Sequence, residues 1–154
     1  MEVLGVRFHA LTRGEAARAI AHLASSAERA YIVKPYSEFM PRAARDPRLR
    51  GLLNGAALCL ADGVGVLWAA HYLSLKGGTP RALLQLPLSL ASLFLNPKAV
   101  RDPLPQNMAG VDLAWEMLTC LADAGASVYL LGGAEEENRR ARERIAQRLP
   151  ALRI

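Results

Sequence analysis

Ala56-Ala57-Leu58-Cys59-Leu60-Ala61, running straight into Asp62-Gly63-Val64-Gly65, is the stretch that decides the fold. Six apolar residues bounded by turn formers have the length of a buried strand. Their apolar character is continuous rather than alternating, which marks a strand covered on both faces and hence a parallel sheet. After the turn, Val64, Leu67, Trp68, His71, Tyr72 and Leu75 recur at helical spacing and predict a helix with one strongly apolar face.

The same alternation extends in both directions. Residues 2–9 (EVLGVRFH) read as a first strand, and Thr12-Arg13-Gly14-Glu15 matches a capping box. The next helix carries Ala16, Ala19, Ile20, Leu23 and Ala27 on one stripe. Residues 30–34 (AYIVK) read as a second buried strand, ended by Pro35. Ser37 is placed to cap one helix, and Asp46-Pro47 to open another, with proline at the first helical position. Asn54-Gly55 is the stop. Toward the C-terminus, residues 110–124 form a helix closed by Gly125, and 126–131 (ASVYLL) a strand. Gly132-Gly133 then leads into a helix to about Leu149, and residues 150–154 read as entry into another strand. The expectation is one α/β domain over residues 1–154 with an incomplete C-terminus. Its Rossmann-like, doubly wound, mainly parallel sheet would have helices on both faces.

Residues 76–105 interrupt this order and read as an apolar insertion. Lys76-Gly77-Gly78-Thr79-Pro80-Arg81 is predicted as a loop. The run from Ala82 to Leu95, with Pro87 in its middle to kink a helix, is shorter than the ~20 residues a spanning helix needs. Two readings stay open: a buried packing helix or partner interface, and contact with a membrane surface. Lys76, Arg81, Lys98 and Arg101 flank the run, as anionic headgroups would require. An exposed 82–95 face would favour a homo-oligomer.

Composition narrows the function classes. Apolar residues make up 52% and charged residues 21% of the 154, a globular balance. Cys59 and Cys120 lie far apart in apolar segments and form no disulfide scaffold. His9, His22 and His71 have no metal-ligand spacing, so no metal site is expected. The start lacks a basic leader before an apolar run, which reads as cytoplasmic. A net charge of +5 suggests affinity for anions. The cations are scattered with few aromatics between them, which disfavours nucleic acid.

In open α/β sheets, ligands bind beyond the carboxyl ends of the strands. Three loops start there: Lys34-Pro35-Tyr36-Ser37-Glu38, Asp62-Gly63-Val64-Gly65 and Gly132-Gly133-Ala134. Asp62 emerges from an apolar strand beside glycines that let a ligand approach the backbone, so it could serve as a general base on a hydroxyl. The same position suits a helix cap, and spacing leaves both roles open. Gly132-Gly133 could offer N–H groups to an anion, though this is no dinucleotide fingerprint. Glu135, Glu136 and Glu137 would repel a diphosphate there, which favours the uncharged part of a nucleotide or sugar. A purely structural turn is an equal reading.

Taken in order, VKPYSEF (33–39), LADGVGVLWAA (60–70), NMAGVDL (107–113) and VYLLGGAEE (128–136) resemble the WecG/TagA/CpsF glycosyltransferase family, across most of residues 1–75 and 106–154. The resemblance implies an inverting, metal-independent hexosyltransferase without a cofactor. It would move an N-acetylmannosamine-type or related sugar from a UDP-sugar donor to an undecaprenyl-diphosphate-linked saccharide acceptor, in cell-wall or exopolysaccharide biosynthesis. The enzyme would be cytoplasmic, peripheral on the inner face of the cell membrane. The family's Asp-Gly motif supplies the presumed base, here Asp62 with Gly63 and Gly65. Gly110, Asp112, Gly132 and Gly133 would border the donor.

The sequence also departs from the family. Lys34-Pro35-Tyr36 stands where the family reads Thr-Pro-Asn, and Gln106-Asn107 where it reads Glu-Arg. A Lys34 that reached Asp62 would weaken it as a base, or would instead hold a phosphate. Members also continue with a further strand and a basic tail. A reading of another class follows from these changes: a non-catalytic relative that binds a nucleotide or a partner.

Overall fold

A computed structural model describes residues 1–26, 28–75 and 79–154. The chain divides into two compact units, Met1–Thr12 with Ala30–Gly110, and Arg13–Arg29 with Val111–Ile154. The architecture is mixed α/β. Its strands form one antiparallel and one parallel two-stranded sheet among the described residues.

The first unit opens with β1 (Glu2–Val3) and β2 (Val6–Arg7), paired antiparallel as Glu2↔Arg7 and Val3↔Val6. The single strand expected over 2–9 is therefore a hairpin. Leu4 and Gly5 take φ of 48° and 84°. Two successive positive φ values make the two-residue turn whose twist matches the flanking strands, and Gly5 adopts it without strain.

Two of the expected strands pair in parallel. β3 (Ile32–Val33) and β4 (Leu58–Cys59) align as Ile32↔Leu58 and Val33↔Cys59. The ladder continues where Leu60 N–H donates to Val33 O at 2.9 Å and Asp62 N–H to Pro35 O at 3.4 Å. Between the strands lie α2 (Phe39–Arg45) and α3 (Pro47–Asn54). Asp46 caps α3 as expected, its Oδ1 accepting from the N–H groups of Arg48 and Leu49 at 2.9 and 3.1 Å. Ser37 does not cap α2: Glu38 takes the cap position without a side-chain bond.

The helix after β4 is α4 (Val64–Ser74). Of the apolar face expected there it buries Leu67, together with Val66 and Ala70, while Trp68, His71, Tyr72 and Leu75 are half-buried. Val64 is exposed, while Trp68 and Tyr72 stack on each other with centroids 5.8 Å apart. α5 (Thr79–Leu95) runs through Pro87. Thr79–Arg81, expected in a loop, are its first turn, where the missing N–H of Pro80 costs no intrahelical bond. The rest of that expected loop, residues 76–78, lies outside the described residues. A short 3₁₀ turn, Ala99–Arg101, then returns Val100 to the interior, with Leu104 following. The core joins Val3, Val6 and Phe8 of the hairpin to Met40, Cys59 and Leu67.

The second unit contains α1 (Arg13–Ser25), α6 (Gly110–Asp123) apart from its first residue, and α7 (Glu135–Arg148). Of the stripe expected on α1, Ala16 and Ile20 are buried, together with Ala17 and Ala21, and Ala27 lies outside the described residues. Gly125, at φ 67°, follows α6 as the expected stop. The strand expected over 126–131 pairs at one point, a parallel bridge from Ser127 to Arg153, with Val128 N–H donating to Arg153 O at 2.8 Å. The bridge matches the reading of residues 150–154 as strand entry, and α7 connects its two sides. Ala21, Leu118, Leu121, Ile145 and Leu152 make this unit's core.

Candidate active site

Parallel register brings Lys34 and Asp62 to the same end of the β3–β4 pair. Lys34 directly follows Val33, and Asp62 follows Cys59 by three residues. Lys34 Nζ lies 3.2 Å from Asp62 Oδ2, with the two side chains 26% and 33% exposed. Partial burial makes such a pair stronger than one in open water while leaving it accessible to a ligand.

Gly63 has φ 87° and ψ 148°, a conformation that side-chain-bearing residues adopt only under strain. It is the cap residue of α4 and brings no side-chain bond to the helix. The carboxylate of Asp62 thus pairs with Lys34, and the capping role weighed for it is not the one observed.

Two more sequence-predicted residues join this cluster. Asn107 Oδ1 accepts from Gly63 N–H at 2.7 Å. The neighbouring Met108 N–H donates to Ala61 O at 3.0 Å, which lays the 107–108 backbone along the end of β4. A Cβ at Gly110 would stand 3.6 Å from Lys34 Nζ, so Gly110 sits directly against the ammonium. Lys34, Asp62, Gly63, Asn107 and Gly110 therefore converge.

Gly65 and Tyr36 sit at the margin. A Cβ at Gly65 would stand 3.2 Å from the Cβ of Ser37, so the glycine permits tight packing of α4 on that loop. The loop residue it meets, Ser37, was not singled out from sequence as a packing partner; a small residue facing a glycine would have been the signal. Tyr36 is half exposed and stands edge-on to Phe39 at 4.9 Å. An apolar cleft of about 330 Å³ opens beside Gly65 and Ser37, walled by Met40, Trp68 and Tyr72.

The other predicted residues belong to the second unit. Asp112, in the first turn of α6, pairs with Arg13 at 2.5 Å, and Arg13 also lies 3.4 Å from Glu116. Gly132 and Gly133 take φ of 96° and 78°. Their turn is held by Asn138, whose Nδ2 donates to the carbonyls of Leu130 and Gly132 at 3.3 and 3.2 Å. Sequence reading passed over Asn138; an amide side chain in the first turns after a Gly-Gly pair was the available signal. A cleft of about 610 Å³ opens here, lined by Gly132, Gly133 and Asn138. Arg139 and Arg142 line it alongside Glu135, and Glu136 pairs with Arg139 and Arg140. The repulsion of anions expected from the three glutamates is thus opposed by arginines in the same place.

Beyond the geometry, the chain can be set beside known proteins. No curated protein matches it. The model of the Glycosyl transferase WecG/TagA/CpsF family matches residues 1–84 and 85–154, and so extends across the 76–105 stretch that the motif resemblance leaves aside. With the whole chain matched, this protein belongs to that glycosyltransferase family.

Proposed function

We propose that the chain transfers a hexosyl unit of the N-acetylmannosamine type from a UDP donor to an undecaprenyl-diphosphate-linked saccharide, at the cytoplasmic face of the membrane. The observation that carries this reading is the Lys34–Asp62 pair at the carboxyl end of two parallel strands. Such ends are where α/β proteins build their sites. In this reading β3 and β4 are the centre of a doubly wound parallel sheet.

The reaction is an inverting single displacement. Asp62 takes the proton of an acceptor hydroxyl as that oxygen bonds to the anomeric carbon. The bond from that carbon to the diphosphate oxygen breaks on the opposite face, and UDP departs with the electron pair. Charge builds on the diphosphate, and Lys34 offsets it without a metal. In the unliganded chain Lys34 rests on Asp62. A bound diphosphate draws the ammonium to itself and leaves the carboxylate free to act as base. Asn107 and Gly63 hold the turn on which Asp62 stands, and Gly110 leaves room beside the ammonium.

The ion pair itself favours one second reading, a non-catalytic relative in which Lys34 permanently neutralises Asp62. Titration with UDP separates the two. The enzyme reading expects saturable binding that weakens about tenfold in Lys34→Ala and persists in Asp62→Asn. Absence of binding at millimolar UDP would leave the non-catalytic reading in place.

A further inference from the structure

No Asp or Glu occurs between Asp62 and Asp102, while Lys76, Arg81, Lys98 and Arg101 all fall in that interval. α5 occupies the middle of this acid-free stretch. From Leu83 to Leu95 every exposed residue is apolar. Leu83, Leu84, Leu88, Phe94 and Leu95 are between 68% and 87% exposed. At 3.6 residues per turn, these positions with Pro87 and Leu90 cover about half the circumference of the helix.

The opposite side is attached to the protein. Ser89, 4% exposed, accepts a hydrogen bond from Trp68 Nε1 at 3.2 Å, and α5 packs on α4 and the 3₁₀ turn. A helix in solution turns its polar side outward; α5 does the reverse. Its 17 residues extend about 26 Å, short of the ~30 Å hydrocarbon core, and no helix among the described residues is long and apolar enough to cross a membrane.

We propose that α5 is a docking face for an anionic lipid surface. The helix lies flat in the interface, its leucines and Phe94 in the acyl boundary, with Arg81, Lys98 and Arg101 at the headgroup phosphates. Charge selects this occupant over a second copy of the chain. A two-fold contact through this face would set Arg81 of one copy against Arg81 or Lys98 of the other, with no carboxylate in the stretch to answer them. The inference rests on α5 alone and stands or falls apart from the sugar-transfer reading.

The test is sedimentation of the full chain with vesicles of equal parts phosphatidylcholine and phosphatidylglycerol, against vesicles of phosphatidylcholine alone. The wild type should partition to the anionic vesicles, less at raised salt. Leu84→Ser/Leu88→Ser should lower that partition at least about tenfold. Arg81→Glu/Lys98→Glu should abolish the preference for the anionic lipid. Circular dichroism establishes that each variant is folded. Should the double serine variant fail to fold, Phe94→Ser is read in the same assay and should also weaken binding. Absence of binding by the wild type, or binding indifferent to these substitutions, overturns the proposal. A dimer in sedimentation equilibrium that the serine variant dissociates, with no vesicle binding, overturns it in favour of self-association.

Discussion

The amide of Gly63 donates to Asn107 Oδ1 at 2.7 Å, a bond that spans 44 residues of sequence and ties the turn beside Asp62 to the segment leading into α6. The N–H of a cap residue at a helix start has no partner within the helix, so Asn107 supplies what the helix cannot. The side chain that sequence comparison marks as a lost cation is, in this protein, a structural acceptor for the turn beside Asp62.

Removing that acceptor should loosen the turn more than it lowers global stability. Asn107→Ala is expected to cost about 0.5–1 kcal/mol in urea unfolding, since the site is open enough for water to replace the amide oxygen. Asn107→Asp keeps an acceptor and should restore most of the loss. UDP affinity should fall in the alanine variant, measured by calorimetric titration.

Two glycines should respond in opposite directions to alanine. At Gly63 a Cβ would meet nothing within 4 Å, yet φ is 87° and ψ 148°, so the penalty is conformational: Gly63→Ala should destabilise by about 1–3 kcal/mol. Gly51, within α3, also has open space but no positive φ, and Gly51→Ala should stabilise by about 0.5–1 kcal/mol. Urea midpoints of the two variants, moving apart around the wild type, check both.

Burial pushes the Cys59 thiol up from 9.0 to about 11. The residue is 1% exposed in the core of the first unit. Because the folded pKa is the higher one, the neutral thiol's contribution to stability is complete below about pH 9. It is lost as pH rises from there toward 11, where the unfolded chain ionises first. Stability should fall by about 1–2 kcal/mol across that window beyond the loss seen in Cys59→Ala. Matched urea titrations from pH 8 to 11 measure the difference. Cys120, which is partly exposed, should be alkylated first in the native protein.

Much of this was legible in the sequence because the signals were local. Asp46-Pro47 announces the start of α3 by cap chemistry alone, and Gly125 announces the end of α6. The apolar runs at 30–34 and 56–61 are the strands that pair in parallel, and their register brings Lys34 to Asp62, the contact that decides how the site is read. Other features depend on tertiary context. Leu4-Gly5 turns a nominal strand into a hairpin, although a leucine gives no sign of a positive φ. α4 buries Val66 and small Ala70 beside the expected Leu67 and leaves Trp68 half-buried with its Nε1 on Ser89, a shift of the buried face that residue size does not suggest. The Asn107–Gly63 bond was hidden because one polar residue in a proline-rich loop has no periodicity to reveal it. Nor could pattern tell that the leucines of α5 are left exposed, since a buried helix and a surface-seeking one share the same composition.

The most direct test of the central claim is turnover: UDP release from a UDP–N-acetylhexosamine donor in the presence of a lipid-diphosphate-linked saccharide, wild type against Asp62→Asn. The account predicts acceptor-dependent release by the wild type. In Asp62→Asn, kcat should fall about 10²–10⁴-fold with UDP affinity little changed, as befits loss of a general base. Turnover in Asp62→Asn equal to the wild type would contradict the role given to this carboxylate.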